Sequence, residues 1–94
     1  MPYWVYIVTN KPNGILYIGV TNDIARRSYE HREGLIEGFT KKYGLKMLVY
    51  AEEYATIEEA IHREKCMKEW KRAWKIRRIL EANPDWHDLF EILV

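Results

Sequence analysis

The 94 residues suit one domain with a modest hydrophobic core, and we expect residues 1–94 to form a single domain. No apolar run approaches the roughly 18 residues of a membrane helix, and the N-terminus lacks a signal-peptide pattern, so we expect a cytoplasmic protein and no membrane partner. The single cysteine, Cys66, excludes an internal disulfide and argues against a cysteine-rich zinc site.

The net charge of +1 hides an uneven distribution along the chain. Residues 62–78 carry eight Lys or Arg against two Glu, whereas residues 51–61 carry four Glu and residues 79–94 carry four acidic residues and no Lys or Arg. A basic segment of this density is typical of a surface that contacts phosphates. It is equally typical of a solvated helix, so charge alone leaves both interpretations open.

The first twenty residues predict an antiparallel β-hairpin. Residues 3–9 (YWVYIVT) are β-branched and aromatic, too short for a helix and apolar on both faces, which indicates a central strand. Residues 11–14 (KPNG) are a strong turn signal, because Asn-Gly suits positive φ. Residues 15–20 (ILYIGV) follow as the second strand.

The segment after the hairpin predicts a helix. Thr21 and Asn22 are good N-cap residues, and Asp23 places a negative charge in the first turn. The helix should run to about Glu33 and stop at Gly34, since glycine commonly follows a helix C-terminus.

A loop, a third strand and a second helix are predicted next. Residues 38–44 are expected to form a loop, and residues 45–52 the third strand. Thr56, followed three residues later by Glu59, is a capping box that opens the helix.

The last third of the chain predicts further helix and a docked tail. The helical pattern continues to about residue 82, with a break or bend near residues 71–74, and Asn83-Pro84 ends it. The tail should dock on the body through four apolar side chains: Trp86, Leu89, Phe90 and Ile92. The order β-β-α-β-α-α predicts an α+β fold, a small three-stranded antiparallel sheet flanked by helices.

Polar side chains fall on the inner face of the first helix. On a helical wheel Ile24 and Leu35 define that face, and Arg27, Ser28 and His31 lie within about 60° of it. Arg27 and His31 are therefore an i, i+4 pair directed at the sheet.

The second helix shows the same anomaly. Ile57, Ala60 and Ile61 define its inner stripe, and Glu64 lies near the centre of that stripe. Because a buried carboxylate without a partner is costly, Glu64 should face an Arg, a metal ion, or solvent at the end of the stripe.

Each of these side chains also has a purely structural interpretation. His31 could be a histidine at the edge of the core, and Tyr6 and Tyr17 could be a cross-strand aromatic pair. Arg27 could pair with Glu30, Glu33 or another carboxylate, and Glu64 could be the partner of Arg27 in a structural salt bridge. The functional interpretation is favoured because all five can converge on one side of one sheet. Two phenols, a guanidinium, an imidazole and a carboxylate form a set that suits phosphodiester cleavage.

The two predicted strands resemble the paired motif of the GIY-YIG nucleases. Residues 17–19 (YIG) match its second half, and residues 4–6 (WVY) keep the tyrosine of the first half but have Trp and Val where the family has Gly and Ile. The family's arginine, its histidine four residues later, its metal-binding glutamate and its C-terminal asparagine are matched by Arg27, His31, Glu64 and Asn83. The resemblance covers nearly the whole chain and is greatest to the short stand-alone bacterial members.

The resemblance implies a metal-dependent endonuclease that hydrolyses DNA by in-line attack of water, in DNA repair, recombination or DNA processing. One Mg²⁺ or Mn²⁺ ion would be held by Glu64, and Arg27 would stabilise the charge on the scissile phosphate. Tyr6 or Tyr17 would orient or deprotonate the water with His31 as proton acceptor, and the sequence leaves open which tyrosine does which. Asn83 is the remaining catalytic candidate.

The basic segment would then face the DNA through five side chains: Lys65, Lys68, Lys71, Arg72 and Lys75. Trp70 and Trp74 lie among them and could stack on bases, although packing against the core or another helix is favoured. A non-catalytic nucleic-acid-binding module and a protein-interaction module are the alternatives. A separate targeting protein is a further candidate partner, and the oligomeric state and the choice between DNA and RNA stay open.

Overall fold

The computed structural model describes residues 2–93 and confirms the predicted fold class. Its strands are β1 (Tyr3–Thr9), β2 (Leu16–Thr21) and β3 (Met47–Tyr54). Its helices are α1 (Ile24–Arg32), α2 (Phe39–Tyr43), α3 (Ile57–Glu69), α4 (Arg72–Ala82) and α5 (Phe90–Leu93). The sheet order is β2-β1-β3, and both neighbours of the central strand β1 are antiparallel to it.

The central strand β1 is apolar on both sides because both faces of the sheet are covered. Val5 and Ile7 belong to one buried cluster, which is completed by side chains of α3 and α4 and by Trp86. Tyr6 and Val8 point the other way, into a cluster with Ile24 of α1 and with Leu45. We call these two sides the α3–α4 face and the α1 face. The alternation of side chains along a strand assigns Tyr6 to the α1 face.

The helix caps agree with the predicted signals, with one shift. Thr56 caps α3 as predicted and accepts a hydrogen bond from the Glu59 backbone N–H at 3.2 Å. The N-cap of α1 is Asp23, which accepts from the Arg26 N–H at 3.0 Å, and the prediction of Thr21 or Asn22 was wrong. Thr21 is still the last residue of β2, so the helix cannot begin there.

The segment predicted as a loop at residues 38–44 instead contains the short helix α2. Gly38 (φ 112°) precedes it, and Gly44 (φ 67°) ends it in the left-handed region. The Gly44 and Leu45 N–H groups donate to carbonyls of the last turn, which closes the helix. The two glycines therefore cap a helical turn here, and β3 begins two residues later than predicted, at Met47.

Three residues expected to be buried are exposed. Leu35 lies beyond the C-terminus of α1, which ends at Arg32, so the helical wheel does not apply to it. Ile61 and Ile92 also lie at the surface, whereas Trp86 is buried as predicted. Within residues 2–93, no helix combines the length and the apolar character needed to cross a membrane.

Candidate active site

The glycine of the YIG motif makes room for a buried tyrosine. Tyr6 lies opposite Gly19 in the β1–β2 register, and its ring crosses β2 at that position. A Cβ on Gly19 would lie 2.5 Å from Tyr6 Oη and 2.7 Å from Tyr6 Cζ, which is far inside van der Waals contact. Residue 19 must therefore be glycine for Tyr6 to occupy this position on the α1 face.

Tyr6 is joined directly to α1 by a buried hydrogen bond. Its hydroxyl lies 2.9 Å from His31 Nε2, and both side chains are buried. The Tyr17 ring is 6.2 Å from the His31 ring, so the second tyrosine flanks the same imidazole. The predicted convergence of two phenols on His31 is present in the structure.

Burial and charge move the pKa values of this pair in opposite directions. Burial raises the pKa of Tyr6 to about 12, and although the positive charge of Arg27 opposes this rise, the charges of Tyr17 and Glu64 add to it. Burial and, to a lesser extent, the positive charge of Arg27 together lower the pKa of His31 to about 4, although Glu30 opposes this. At neutral pH the pair is therefore a neutral phenol and a neutral imidazole. In the free protein, transfer of a proton from Tyr6 to His31 is therefore strongly unfavourable.

The inner face of α1 holds buried polar atoms that lack a protein partner. Among the described residues these are Arg27 Nε, Ser28 Oγ and His31 Nδ1. Arg27 Nε lies 3.2 Å from a carboxylate oxygen of Glu30, but the two do not form a hydrogen bond of acceptable geometry. Buried polar atoms in folded proteins are nearly always hydrogen-bonded. These three atoms therefore require water or a bound group, and all three lie on α1, the helix that carries His31.

Glu64 and Lys68 approach the tyrosines from α3. Glu64 is largely buried, with its side chain 19% exposed, and Lys68 Nζ lies 3.4 Å from its carboxylate. The same Nζ is 5.9 Å from the centre of the Tyr17 ring. Since β2 is an edge strand, α3 can pack on the opposite face and still bring both side chains round the edge to Tyr17.

The residues present fit a hard cation only if it is shared with a substrate. Within residues 2–93 no three His, Cys, Asp or Glu side chains come together as a metal-binding group. Mg²⁺, however, is commonly bound by one or two carboxylates together with waters and substrate phosphates. The carboxylate of Glu64 is compatible with that arrangement.

Asn83 is not part of this cluster, and its amide makes structural hydrogen bonds, so its catalytic role stays a prediction. Its Nδ2 donates to the carbonyls of Val49 at 3.0 Å and His87 at 2.9 Å, and its Oδ1 accepts from the His87 N–H at 3.0 Å. Val49 belongs to the cluster on the α3–α4 face. Pro84 ends the helical pattern, and Asn83 holds the turn that follows against β3. Both the NH₂ group and the carbonyl oxygen of the Asn83 side chain are used in these hydrogen bonds.

Two of the five predicted DNA-contacting side chains form hydrogen bonds with other parts of the protein. Arg72 donates to the carbonyl of Asn13 at 2.7 Å and to that of Gly14, which fastens the β1–β2 turn to the start of α4. Lys75 Nζ donates to the Lys68 carbonyl at 3.4 Å. Arg72 therefore has a structural role as a clamp on the hairpin turn, and its contact with DNA stays a prediction.

The remaining basic residues and the two tryptophans differ in their surroundings and in their exposure to solvent. Lys65 is exposed, Lys68 lies at the tyrosine site, and Lys71 Nζ lies 5.9 Å from the centre of the Trp74 ring. Trp70 packs against the core cluster, as favoured from the sequence. Trp74 is 49% exposed, so the favoured packing role is wrong for this residue.

Two polar or aromatic groups were missed from the sequence. On the α3–α4 face, Glu52 accepts from Arg63 Nε at 2.9 Å and from the hydroxyls of Tyr50 and Tyr54. Burial opposes its ionisation, but these hydrogen bonds outweigh burial and hold the pKa of Glu52 below its ordinary value. The sequence feature that could have indicated this group is the alternation of polar side chains along the end of β3.

The second missed group lies on α2, beside the candidate site. The ring of Phe39 stacks on that of Tyr17, with 6.3 Å between centres and an interplanar angle of 28°. Tyr43 follows, 4.8 Å from Phe39. The signal was the aromatic and basic composition of residues 39–43 (FTKKY).

The comparison with family models identifies the class of protein that this fold and site define. The model described as the GIY-YIG catalytic domain matches residues 2–78, and the chain belongs to the GIY-YIG family, a nuclease superfamily.

Individual relatives are small proteins of similar length. The chain is 37% identical over 80 residues to a UPF0213 protein of Staphylococcus saprophyticus, covering 85% of this chain and 96% of the relative. It is 38% identical over 79 residues to a UPF0213 protein of Staphylococcus aureus, covering 84% and 95%. A UPF0213 protein from Bacillus halodurans, solved by solution NMR, superposes with a TM-score of 0.58 at 27% identity, over 94% of this chain and 93% of that one.

Proposed function

We propose that this chain is a metal-dependent DNA endonuclease that hydrolyses phosphodiester bonds by in-line attack of water. The observation that carries the proposal is the buried Tyr6–His31 hydrogen bond, with Arg27 and Glu64 close enough to act electrostatically on Tyr6. Membership of a nuclease superfamily supports the class of reaction.

Tyr6, with His31 behind it, is the better candidate for water activation. The hydrogen bond to His31 favours Tyr6 over Tyr17, whose ring is partly exposed beneath Lys68. In the free protein the proton stays on Tyr6, because its pKa is about 12 and that of His31 about 4. An anionic phosphate beside His31 would raise the pKa of the imidazole, and a cation beside Tyr6 would lower that of the phenol. Substrate binding would therefore prepare the pair for proton transfer.

Arg27 is suited to the negative charge that develops on the phosphorus centre. Its Nε is buried without a hydrogen-bond partner, so a phosphate oxygen would satisfy it. A guanidinium that is already in position contributes most where water is excluded, because the charges are then least screened.

Glu64 is the proposed ligand of one Mg²⁺ or Mn²⁺ ion. When bound, that ion supplies positive charge for the leaving oxygen. Lys68 would then release the Glu64 carboxylate, and its ammonium, which already lies over Tyr17, would be free to contact the phosphate backbone. Lys65 and Lys71, which are exposed, would extend that contact.

The biological setting is part of the same proposal. A nuclease of this kind would act on DNA in repair, recombination or processing, in the cytoplasm, and a separate protein would direct it to its substrate. A second candidate function, a nucleic-acid-binding module without turnover, is favoured by the ion pair between Lys68 and Glu64, which competes with a cation for the carboxylate.

The test is cleavage of supercoiled plasmid and of single-stranded and branched DNA with Mg²⁺, Mn²⁺ or chelator. The proposal predicts metal-dependent cutting that is lost in Glu64→Ala and retained in Glu69→Ala, a matched change at an exposed carboxylate on the same helix. Equal cutting by Glu64→Ala would contradict the assigned metal ligand. Binding of all these DNAs without any cutting would favour the binding module.

A further inference from the structure

Residues 38–46 (GFTKKYGLK) combine aromatic and basic side chains and contain no acidic residue. Phe39 and Tyr43 are 48% and 43% exposed, although they lie beside a sheet whose core could bury such rings. Aromatic rings that project between lysines are typical of surfaces that bind single strands of nucleic acid, where bases stack on the rings and lysines hold the backbone.

The rings of α2 continue a row that starts in the candidate active site. Tyr17 lies 6.2 Å from the His31 ring, Phe39 stacks on Tyr17 at 6.3 Å, and Tyr43 follows Phe39 at 4.8 Å. The row therefore leads from the buried imidazole to the surface of the protein.

A cation accompanies each end of the row. At the inner end Lys68 Nζ lies 5.9 Å from the centre of the Tyr17 ring, and at the outer end Lys42 Nζ lies 5.4 Å from that of Tyr43. A polyanion with flat π-faces matches this alternation of rings and ammonium groups. An apolar peptide would bury the rings but leave the ammonium groups without a partner.

We propose that Phe39 and Tyr43 form a subsite for a nucleobase of the strand that the active site cuts, beside the scissile phosphate. The inference rests on the proposed nuclease function and adds to it a requirement on the substrate. A base inside a duplex is paired and stacked on its neighbours, so its faces are not available to protein rings. The nucleotide beside the cut must therefore be unpaired.

The experiment measures binding in chelator, so that cutting does not interfere. The probes are a single-stranded oligonucleotide with 2-aminopurine at one position at a time, and the same strand in a duplex. Phe39→Ala and Tyr43→Ala should each weaken single-strand binding by about 5- to 150-fold, the range for loss of one stacked base, and remove the 2-aminopurine signal at one position. Phe39→Tyr should restore both, which shows that the ring is needed rather than the fold alone. Tyr29→Ala, which removes an equally exposed aromatic ring on α1, is the matched control and should change neither.

Three results would overturn the subsite. These are binding that is indifferent to Phe39→Ala and Tyr43→Ala, equal weakening by Tyr29→Ala, and a dimer that Phe39→Ala dissolves without altering DNA binding. The third result would assign the rings to a second copy of the chain. The nuclease proposal fails separately: if the ring variants behave as expected but no DNA is cut with Mg²⁺ or Mn²⁺, the subsite stands and the assigned reaction does not. Metal-dependent cutting combined with indifferent binding would leave the nuclease and remove the subsite.

Discussion

On the α3–α4 face, Glu52 accepts hydrogen bonds from Arg63, Tyr50 and Tyr54. On the α1 face, by contrast, Arg27 Nε and His31 Nδ1 are buried beside Tyr6 and have no hydrogen-bond partner within residues 2–93. Both faces thus contain tyrosine, arginine and glutamate near the same sheet. The first set is closed upon itself, as expected of a group that stabilises the fold. The second set is open, because Ser28 Oγ and His31 Nδ1 have no hydrogen-bond partner in the described part of the chain, as expected of a site that binds a ligand. Shifted pKa values do not separate the two faces, since burial raises the pKa of Tyr50 as well as that of Tyr6.

The largest expected effect separates two buried tyrosines that differ in which face they occupy. Tyr6→Phe should slow cleavage on the order of 10²-fold or more, because it removes the proposed base and its bond to His31. Its free energy of unfolding should fall by roughly 1–3 kcal/mol, because His31 Nε2 is left buried without its hydrogen-bond partner. Tyr50→Phe, the matched change on the other face, should leave cleavage unaffected. Single-turnover rates and urea unfolding of both variants measure the two quantities, and equal rates for the two variants would remove the distinction between the faces.

The next prediction compares one arginine from each face, and here the larger loss of stability is expected on the α3–α4 face. Arg63→Ala leaves the carboxylate of Glu52 without its charged partner and should reduce the free energy of unfolding by roughly 2–3 kcal/mol. Arg27→Ala removes an ion pair with Glu30 on the same helix, which contributes little, so its effect on stability should be small while cleavage is lost. Chemical denaturation of the two variants provides the measurement. A greater loss of stability in Arg27→Ala would show that the α1 face is also a structural network.

A smaller effect concerns the dependence of stability on pH. The unfolded chain takes up a proton on His31 as the pH falls through its ordinary value of 6.5, whereas the folded protein does so only near 4. Stability that is present above pH 6.5 is therefore lost progressively as the pH falls toward 4, by about 2 kcal/mol between about pH 7 and pH 5. His31→Gln should show a flatter profile over this range in thermal or chemical unfolding. An unchanged slope would mean that His31 is not held neutral by burial.

Much of the fold followed from patterns that depend on one residue and its neighbours. The hairpin, the capping box at Thr56 and the bend between α3 and α4 are set by local chemistry, and the sequence indicated all three. The helix α2 was missed because Gly38 and Gly44 are typical of loops, and only their positive φ angles show that they cap a helical turn.

The candidate site likewise contains residues whose positions local sequence patterns predicted and residues whose positions they did not predict. The orientations of Tyr6, His31 and Glu64 could be predicted from the sequence, because alternation on a strand and helical spacing fix the direction of a side chain. The structural role of Asn83 was missed because an Asn before Pro suits both a motif and a helix end, and only the structure shows its hydrogen bonds to Val49 and His87. The engagement of Arg72 with the hairpin turn spans 59 residues of sequence, so no local pattern could have indicated it.

The central claim is that Tyr6 and His31 act as one unit in the cleavage of DNA. A double-mutant cycle measured by single-turnover cleavage with Mg²⁺ tests it directly, using Tyr6→Phe, His31→Gln and the double variant. Because removing either member already breaks the unit, the double variant should be no slower than the slower single variant. If the two effects instead multiply, or if His31→Gln cuts at the wild-type rate, the hydrogen bond between Tyr6 and His31 is not the centre of the reaction.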